Sequence, residues 1–182
     1  MMTKQHHYQQ LIDVFNQCFE NTENTILVAG EDEPYYCPAG QQHAHHRVVF
    51  AHGFYASALH EISHWCIAGR VRRQIFDYGY WYEPDGRDER QQQAFEQVER
   101  KPQALEWLFS LCAGTNFQVS VDNLSGIEVD RAAFTAAVKD QLLRFYRTKI
   151  PTRAEVFAKA LCHYYNRPWP TLDKVEQLST QV

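Results

Sequence analysis

No run of residues in this chain approaches the length of a membrane span, and the opening MMTKQHHYQQ lacks the apolar core of an export signal. These two absences set the expectation of a soluble, cytoplasmic protein. Positive charge is not in excess either. The formal net charge is −4, so the basic footprint that nonspecific binding to DNA or RNA requires is missing. No CxxC pair occurs, and the cysteines (Cys18, Cys37, Cys66, Cys112 and Cys162) are odd in number. That pattern argues for reduced thiols and against a disulfide framework or a thiolate zinc knot. Internal repeats and low-complexity linkers are also absent. What remains is 182 residues, 45% hydrophobic and 22% charged, enough for one core and too few for two. We therefore expect an α+β fold in a single domain over residues 1–182, a small mixed sheet packed by helices. Its core should span about 5–166, with the tail 167–182 loosely ordered.

Along the chain, Leu11, Ile12, Phe15, Cys18 and Phe19 recur at helical spacing and predict an amphipathic helix over 5–20. NTILVAG (24–30) reads as a short strand, followed by a loop containing Pro34, Pro38 and Gly40. RVVFAHG (47–53) reads as a buried strand. Helical spacing returns from Tyr55 to Ala68, with Gly69 as a stop signal. QIFDYGYWY (74–82) is rich in aromatic and β-branched residues and suggests a strand, and EPDGR (83–87) a turn. A long helix is expected over 88–112, kinked or broken at Pro102. FQVSVD (117–122) suggests a further strand, and helices follow over 130–148 and 152–166.

Within the helix at 55–68 lies LHEISHWCIAG, an HExxH pattern. Positions four apart project from one helical face, so His60 and His64 can reach a single metal ion. Ala58, Leu59, Ile62, Trp65, Cys66 and Ile67 make the same helix apolar around much of its circumference. Polar groups on a buried helix need partners, because burying them unpaired is costly. Satisfied core histidines are the alternative, but they suit a lone histidine better than this pair with Glu61 between.

Two imidazoles rarely suffice, so a third protein ligand is expected. The acidic candidates lie in QQAFEQVERKPQALEW. Counted from Phe95 at about 100° per residue, Glu99 falls roughly 40° away, on the edge of the inward stripe. Glu96 points about 100° away and is the second choice. Glu106 also lies near the inward edge, although Pro102 obscures its direction. Two histidines and one carboxylate with open positions describe both a hydrolytic zinc site and the facial triad of non-haem Fe(II) oxygenases. Ligand types alone do not separate these. In a zinc hydrolase, peptidase or nuclease, Glu61 would be the base that activates water. A non-catalytic binding module whose metal only stabilises the fold would need a fourth ligand, and none lies near the motif.

Three blocks, VVFAHGFYASALHEISHWCIAG, DYGYWYEPDGR and FEQVERKPQALEWLF, closely resemble the bacterial elongation factor P hydroxylase family. The likeness runs from the first helix to about Tyr165. It implies a protein-lysine hydroxylase acting on the β-lysylated lysine of elongation factor P, a translation factor. It also implies a 2-His-1-carboxylate site for a divalent metal, expected to be Fe(II), with O2 as cosubstrate, and a fold similar to that of an rRNA-processing metalloendonuclease. His60 and His64 match the motif histidines, and Glu99 is assigned as the carboxylate. Under this reading Glu61 is no general base but holds a ligand histidine or moves a proton beside the metal. The HxD or HxE pair of many 2-oxoglutarate oxygenases occurs nowhere in the chain, so the electron donor stays open.

The block DYGYWYEPDGRDE supplies Asp77, Tyr78, Tyr80, Trp81 and Tyr82. A β-lysylated lysine is long and cationic, and aromatic faces beside carboxylates bind ammonium groups. These five residues are expected at the substrate entrance, the alternative being an aromatic strand packed half into the core. Arg70, Arg72, Arg73, Arg87 and Arg90 could meet an acidic partner surface or the negative end of the preceding helix. His43, His45 and His46 sit in a loop without regular spacing and read as solvated.

Overall fold

The computed structural model describes residues 6–78, 86–121 and 128–180. Its first helix, α1 (Tyr8–Phe19), starts where His7 accepts a hydrogen bond from the Gln9 amide and Gln10 reaches back to the His7 amide. Leu11, Val14, Phe15 and Phe19 form its buried stripe. Asn16 on the same helix accepts from the Leu27 amide at 2.9 Å, tying α1 to the strand that follows.

Three strands make one mixed sheet in the order β1-β3-β2. β1 (Thr25–Ala29) runs parallel to β3 (His46–Phe50), with Leu27 opposite Val48. β2 (Tyr35–Cys37) pairs antiparallel with β3 and lies inside the stretch expected to be a loop. Pro34 and Pro38 hid it: they bracket a segment of three residues, which is too short to show a period. Where β1 leaves the sheet, Gly30 passes so close to β3 that a Cβ there would stand 2.6 Å from Val49 Cγ1.

His52 and Gly53, at φ 57° and 62°, turn the chain from β3 into α2 (Tyr55–Ile67). After α2 a single 3-10 turn covers Arg72–Gln74, and Asp77 then forms a two-bond bridge with Tyr36 of β2, at 2.7 and 3.0 Å. Over 74–78 this takes the place of the strand expected at 74–82, and residues 79–82 lie outside the described residues.

The 25-residue α3 (Glu89–Ala113) is the central pillar, in contact with α2, α4 and α5. Asp88 and Gln91 cap its start reciprocally, and Gly114 ends it in the left-handed region at φ 78°. The break expected at Pro102 does not occur, since the helix runs on through it. A proline inside a helix costs about 3 kcal/mol. Here Pro102 is buried together with Ala104, Leu105, Leu108 and Phe109, and burial of that run outweighs the loss.

Of the strand expected at 117–122, residue 122 lies outside the described residues, and 117–121 form no ladder among the described residues. The Gln103 side chain takes the place of a neighbouring strand, accepting from the Ser120 amide at 3.0 Å and donating to its carbonyl at 2.8 Å. Val119 and Val121 are buried, so the hydrophobic alternation there reports burial without a ladder. α4 (Arg131–Arg147) and α5 (Thr152–Tyr164) complete the helical layer. The tail is tied down more firmly than its composition suggests. α6 (Leu172–Glu176) buries Val175, Lys139 donates to the carbonyls of Glu176 and Leu178, and Tyr146 donates to that of Pro170. Sheet and helices share one continuous hydrophobic core. Among the described residues no helix is long and apolar enough to cross a membrane.

Candidate metal centre

α2 buries Ala58, Leu59, Ile62, Trp65 and Cys66 and turns His60 and His64 toward α3. The helical pitch sets the two rings one above the other, their centroids 4.7 Å apart and their planes at 69°. Their Nε2 atoms stand 3.0 Å from each other. From α3, Glu99 enters between them, with its oxygens 3.6 Å from His60 Nε2 and 3.4 Å from His64 Nε2. These three side chains are the cluster of potential ligands found among the described residues, one atom from each lying within 4.8 Å of the others. Glu96 points elsewhere on α3 and accepts from Gln92 at 3.0 Å, so Glu99 is the carboxylate that joins the histidines.

Two observations test whether these residues suit a divalent ion. The Glu99 carboxylate is 1% exposed, yet its Oε1 has no hydrogen-bond partner, which is costly for a carboxylate oxygen unless a cation satisfies it. The donor spacing also fits. Ligands bound at about 2.1 Å and separated by 90–110° stand roughly 3.0–3.4 Å apart, close to the spacings seen here. Imidazole nitrogens with a single carboxylate suit Fe(II) and Zn alike.

Glu106, two helical turns beyond Glu99, accepts from His60 Nδ1 at 2.9 Å. The bond selects the tautomer that leaves the Nε2 lone pair facing the cluster. Burial works against a charged His60, but Glu106 first, then Glu99 and Glu61, outweigh it and raise its pKa, so without a cation the ring holds a second proton at Nε2 that a bound metal would replace. For Glu99, burial raises the pKa while His64, His60 and the Gln103 amide lower it, and the net direction is down. Gln103 reaches Glu99 Oε2 at 3.4 Å with the same nitrogen that donates to Ser120. The sequence pattern assigns no role to Gln103, and it weighs Glu106 only as a third ligand, not as the partner of His60. Glu106 carried a usable signal, since it stands seven residues from Glu99 and hence about 20° around the helix.

Glu61 lies on the wall of the adjoining cavity. The His60 ring is held by Glu106, so the holding role expected of Glu61 belongs to another residue for that ligand. Burial, the largest influence, drives the Glu61 pKa up, with His60 and His64 pulling the other way.

The cavity, about 120 Å³, is lined by both histidines and Glu61 together with Tyr35, Tyr36, Asp77 and Tyr78. Asp77 and Tyr78 thus share a wall with the histidines, and Asp77 pairs with Arg72. Tyr80, Trp81 and Tyr82 lie outside the described residues. Among the arginines, Arg73 pairs with Glu23 at 2.9 Å, and Arg87 is fully buried, which removes it from any partner surface. The negative end of α2 is met instead by Arg153 of α5, donating to the carbonyls of Trp65, Cys66 and Ala68. His43, His45 and His46 do not converge. His46 accepts from the Ala39 amide, His45 contacts Asn24, and His43 meets Arg47.

Comparison with known proteins adds two findings. The model of the elongation factor P hydroxylase family matches residues 14–175. A curated elongation factor P lysine hydroxylase from Haemophilus influenzae is 49% identical over 162 residues, spanning 89% of this chain and 91% of that relative.

Proposed function

The chain belongs to the elongation factor P hydroxylase family, and from that premise we propose that it hydroxylates the β-lysylated lysine of elongation factor P at the centre formed by His60, His64 and Glu99. The enzyme is an oxidoreductase, and its substrate is a soluble translation factor met in the cytoplasm, with no role for DNA or membrane. The observation that carries the assignment of the centre is the buried Glu99 oxygen without a hydrogen-bond partner, beside two imidazole nitrogens 3.0 Å apart. His60 and His64 would hold a divalent metal through Nε2 and Glu99 through a carboxylate oxygen. Fe(II) is the metal proposed, because bound iron supplies the dioxygen chemistry that hydroxylating an unactivated carbon requires.

The protein residues supply position, charge and dryness. Glu106 fixes the His60 ring, and Gln103 steadies Glu99. α3 closes one side of the centre and keeps water from the Glu99 carboxylate, which is 1% exposed. Asp77, Tyr78, Tyr80, Trp81 and Tyr82 are proposed to receive the long cationic side chain of the substrate, whose ammonium groups suit carboxylates and aromatic faces. Glu61, on the cavity wall one residue from His60, is proposed to move a proton at its carboxylate during turnover. The small mixed sheet and the HExxH-bearing α2 also support a likeness to the rRNA-processing metalloendonuclease fold.

Mass spectrometry of β-lysylated elongation factor P, incubated with the protein, Fe(II), air and excess ascorbate to supply the two electrons that reduce the second oxygen atom to water, tests the reading. A gain of one oxygen on the modified lysine, lost without air, is the expected result. Modified factor that stays unchanged under these conditions, or is cleaved instead, overturns it.

A further inference from the structure

Segment 71–78, whose Arg72, Arg73, Asp77 and Tyr78 line the cavity, has its polarity inverted. Its charged side chains are partly buried and paired, Arg72 with Asp77 and Arg73 with Glu23. Its large apolar side chains face outward instead: Val71, Ile75, Phe76 and Tyr78 are all exposed, Val71 at 82%. Of the six exposed large hydrophobic residues among the described residues, these are four. Hydrophobic side chains exposed singly are ordinary, whereas a group of them in one place marks a surface that something else covers.

The outward face is held in a fixed shape. The amides of Gln74 and Ile75 donate to the carbonyls of Val71 and Arg72 at 3.0 and 3.3 Å, which closes the 3-10 turn and keeps Val71 and Ile75 about one turn apart. The Tyr36 hydroxyl donates to the Arg73 carbonyl at 2.9 Å and ties the turn to β2. The Phe76 ring stacks on Tyr35 with centroids 5.4 Å apart and meets Tyr78 edge-on at 4.8 Å. Tyr35 and Tyr78 also line the cavity with His60 and His64, so the apolar face is continuous with the cavity wall. A surface shaped in advance loses little freedom when a partner lands on it.

That continuity identifies the occupant. A cavity of about 120 Å³ admits a side chain and not the protein that bears it. On the reading that the chain hydroxylates a lysine of elongation factor P, the body of that factor must rest on the cavity rim while the side chain is inside. The charges of the rim segment are engaged in internal pairs, so what it offers a partner is apolar contact.

We propose that Val71, Ile75 and Phe76 form a docking surface for an apolar patch of elongation factor P beside its modified lysine, with Tyr35 and Tyr78 joining that surface to the cavity. The inference rests on the hydroxylase reading and adds to it a protein-contacting face, since Val71, Ile75 and Phe76 are not among the residues lining the cavity.

The test is a calorimetric titration of the full chain with β-lysylated elongation factor P, without air so that no turnover intrudes. The expected result is saturable binding to the wild-type protein. Val71→Ser combined with Ile75→Ser should weaken it by about tenfold or more, and Phe76→Ala should act in the same direction. Val156→Ser, which removes an exposed hydrophobic side chain on α5, should leave the affinity unchanged. Circular dichroism checks that each variant is folded, and substitutions at such exposed positions should hardly move stability. The proposal is overturned by no saturable binding, by wild-type affinity in the double variant, or by equal weakening in Val156→Ser. Wild-type protein that self-associates in sedimentation and becomes monomeric in the double variant would also overturn it, since the face would then belong to a second copy. Failure of the hydroxylase reading looks different: the factor gains no oxygen in air, whereas the binding outcomes are read without turnover.

Discussion

Nδ1 of His60 on α2 and the carboxylate of Glu106 on α3 meet at 2.9 Å across the helix interface. This contact fixes which nitrogen of His60 faces His64 and Glu99. Removing such a partner typically weakens metal affinity or activity by about 10–100-fold. Glu106→Gln, which keeps an acceptor but loses the charge, should fall near the lower bound and Glu106→Ala near the upper. Competition against a chelator of known affinity measures both. Unchanged affinity in Glu106→Ala would separate this contact from metal binding.

Loss of a proposed ligand should be more severe. His60→Ala, His64→Ala and Glu99→Gln should each abolish oxygen addition to modified elongation factor P and leave no stoichiometric metal after dialysis, while the helical signal persists. Elemental analysis and intact-protein mass spectrometry read the two outcomes. A variant that retains both metal and activity would remove its residue from the centre.

The cavity wall should govern substrate binding more than turnover. Tyr78 is 63% exposed, so Tyr78→Ala should change stability by no more than about 0.5 kcal/mol. KM for the modified factor should nevertheless rise several-fold with kcat largely kept. Asp77→Asn should act in the same direction, and so should Tyr80→Ala and Trp81→Ala. Unchanged KM across the four would move the substrate entrance elsewhere.

Arg87 predicts a stability effect. It is fully buried, its Nε donates to Gln92, its Nη2 donates to the Val121 carbonyl, and its guanidinium lies 4.0 Å over the Phe95 ring. Arg87→Met would strand buried acceptors, each costing about 1–3 kcal/mol. Urea unfolding should show a loss on the order of 3 kcal/mol. A shift within error would mean that water reaches these acceptors.

The parts of this architecture legible in the sequence are those with a long period. α1, α2, α4 and α5 follow from apolar spacing, and β1 and β3 from dense Val, Ile and Leu. Glu99 could be favoured over Glu96 by rotation along α3 alone, since a regular helix converts residue number into angle. The features that escaped depend on partners distant in sequence. β2 is defined by its pairing with β3, and its own residues give no period. Residues 117–121 alternate like a strand, yet their neighbour is the side chain of Gln103. Pro102 carries a local preference for a break, and burial against the rest of the fold overrides it. Arg87 reads as a surface charge beside a turn until the packing of α3 encloses it.

Gln103 has a consequence for how the protein could be observed. One side-chain amide touches the proposed ligand Glu99 and clamps both backbone groups of Ser120. Whatever steadies Glu99 should therefore slow deuterium uptake at the Ser120 amide. That signal could report metal loading from a backbone position with no ligand of its own.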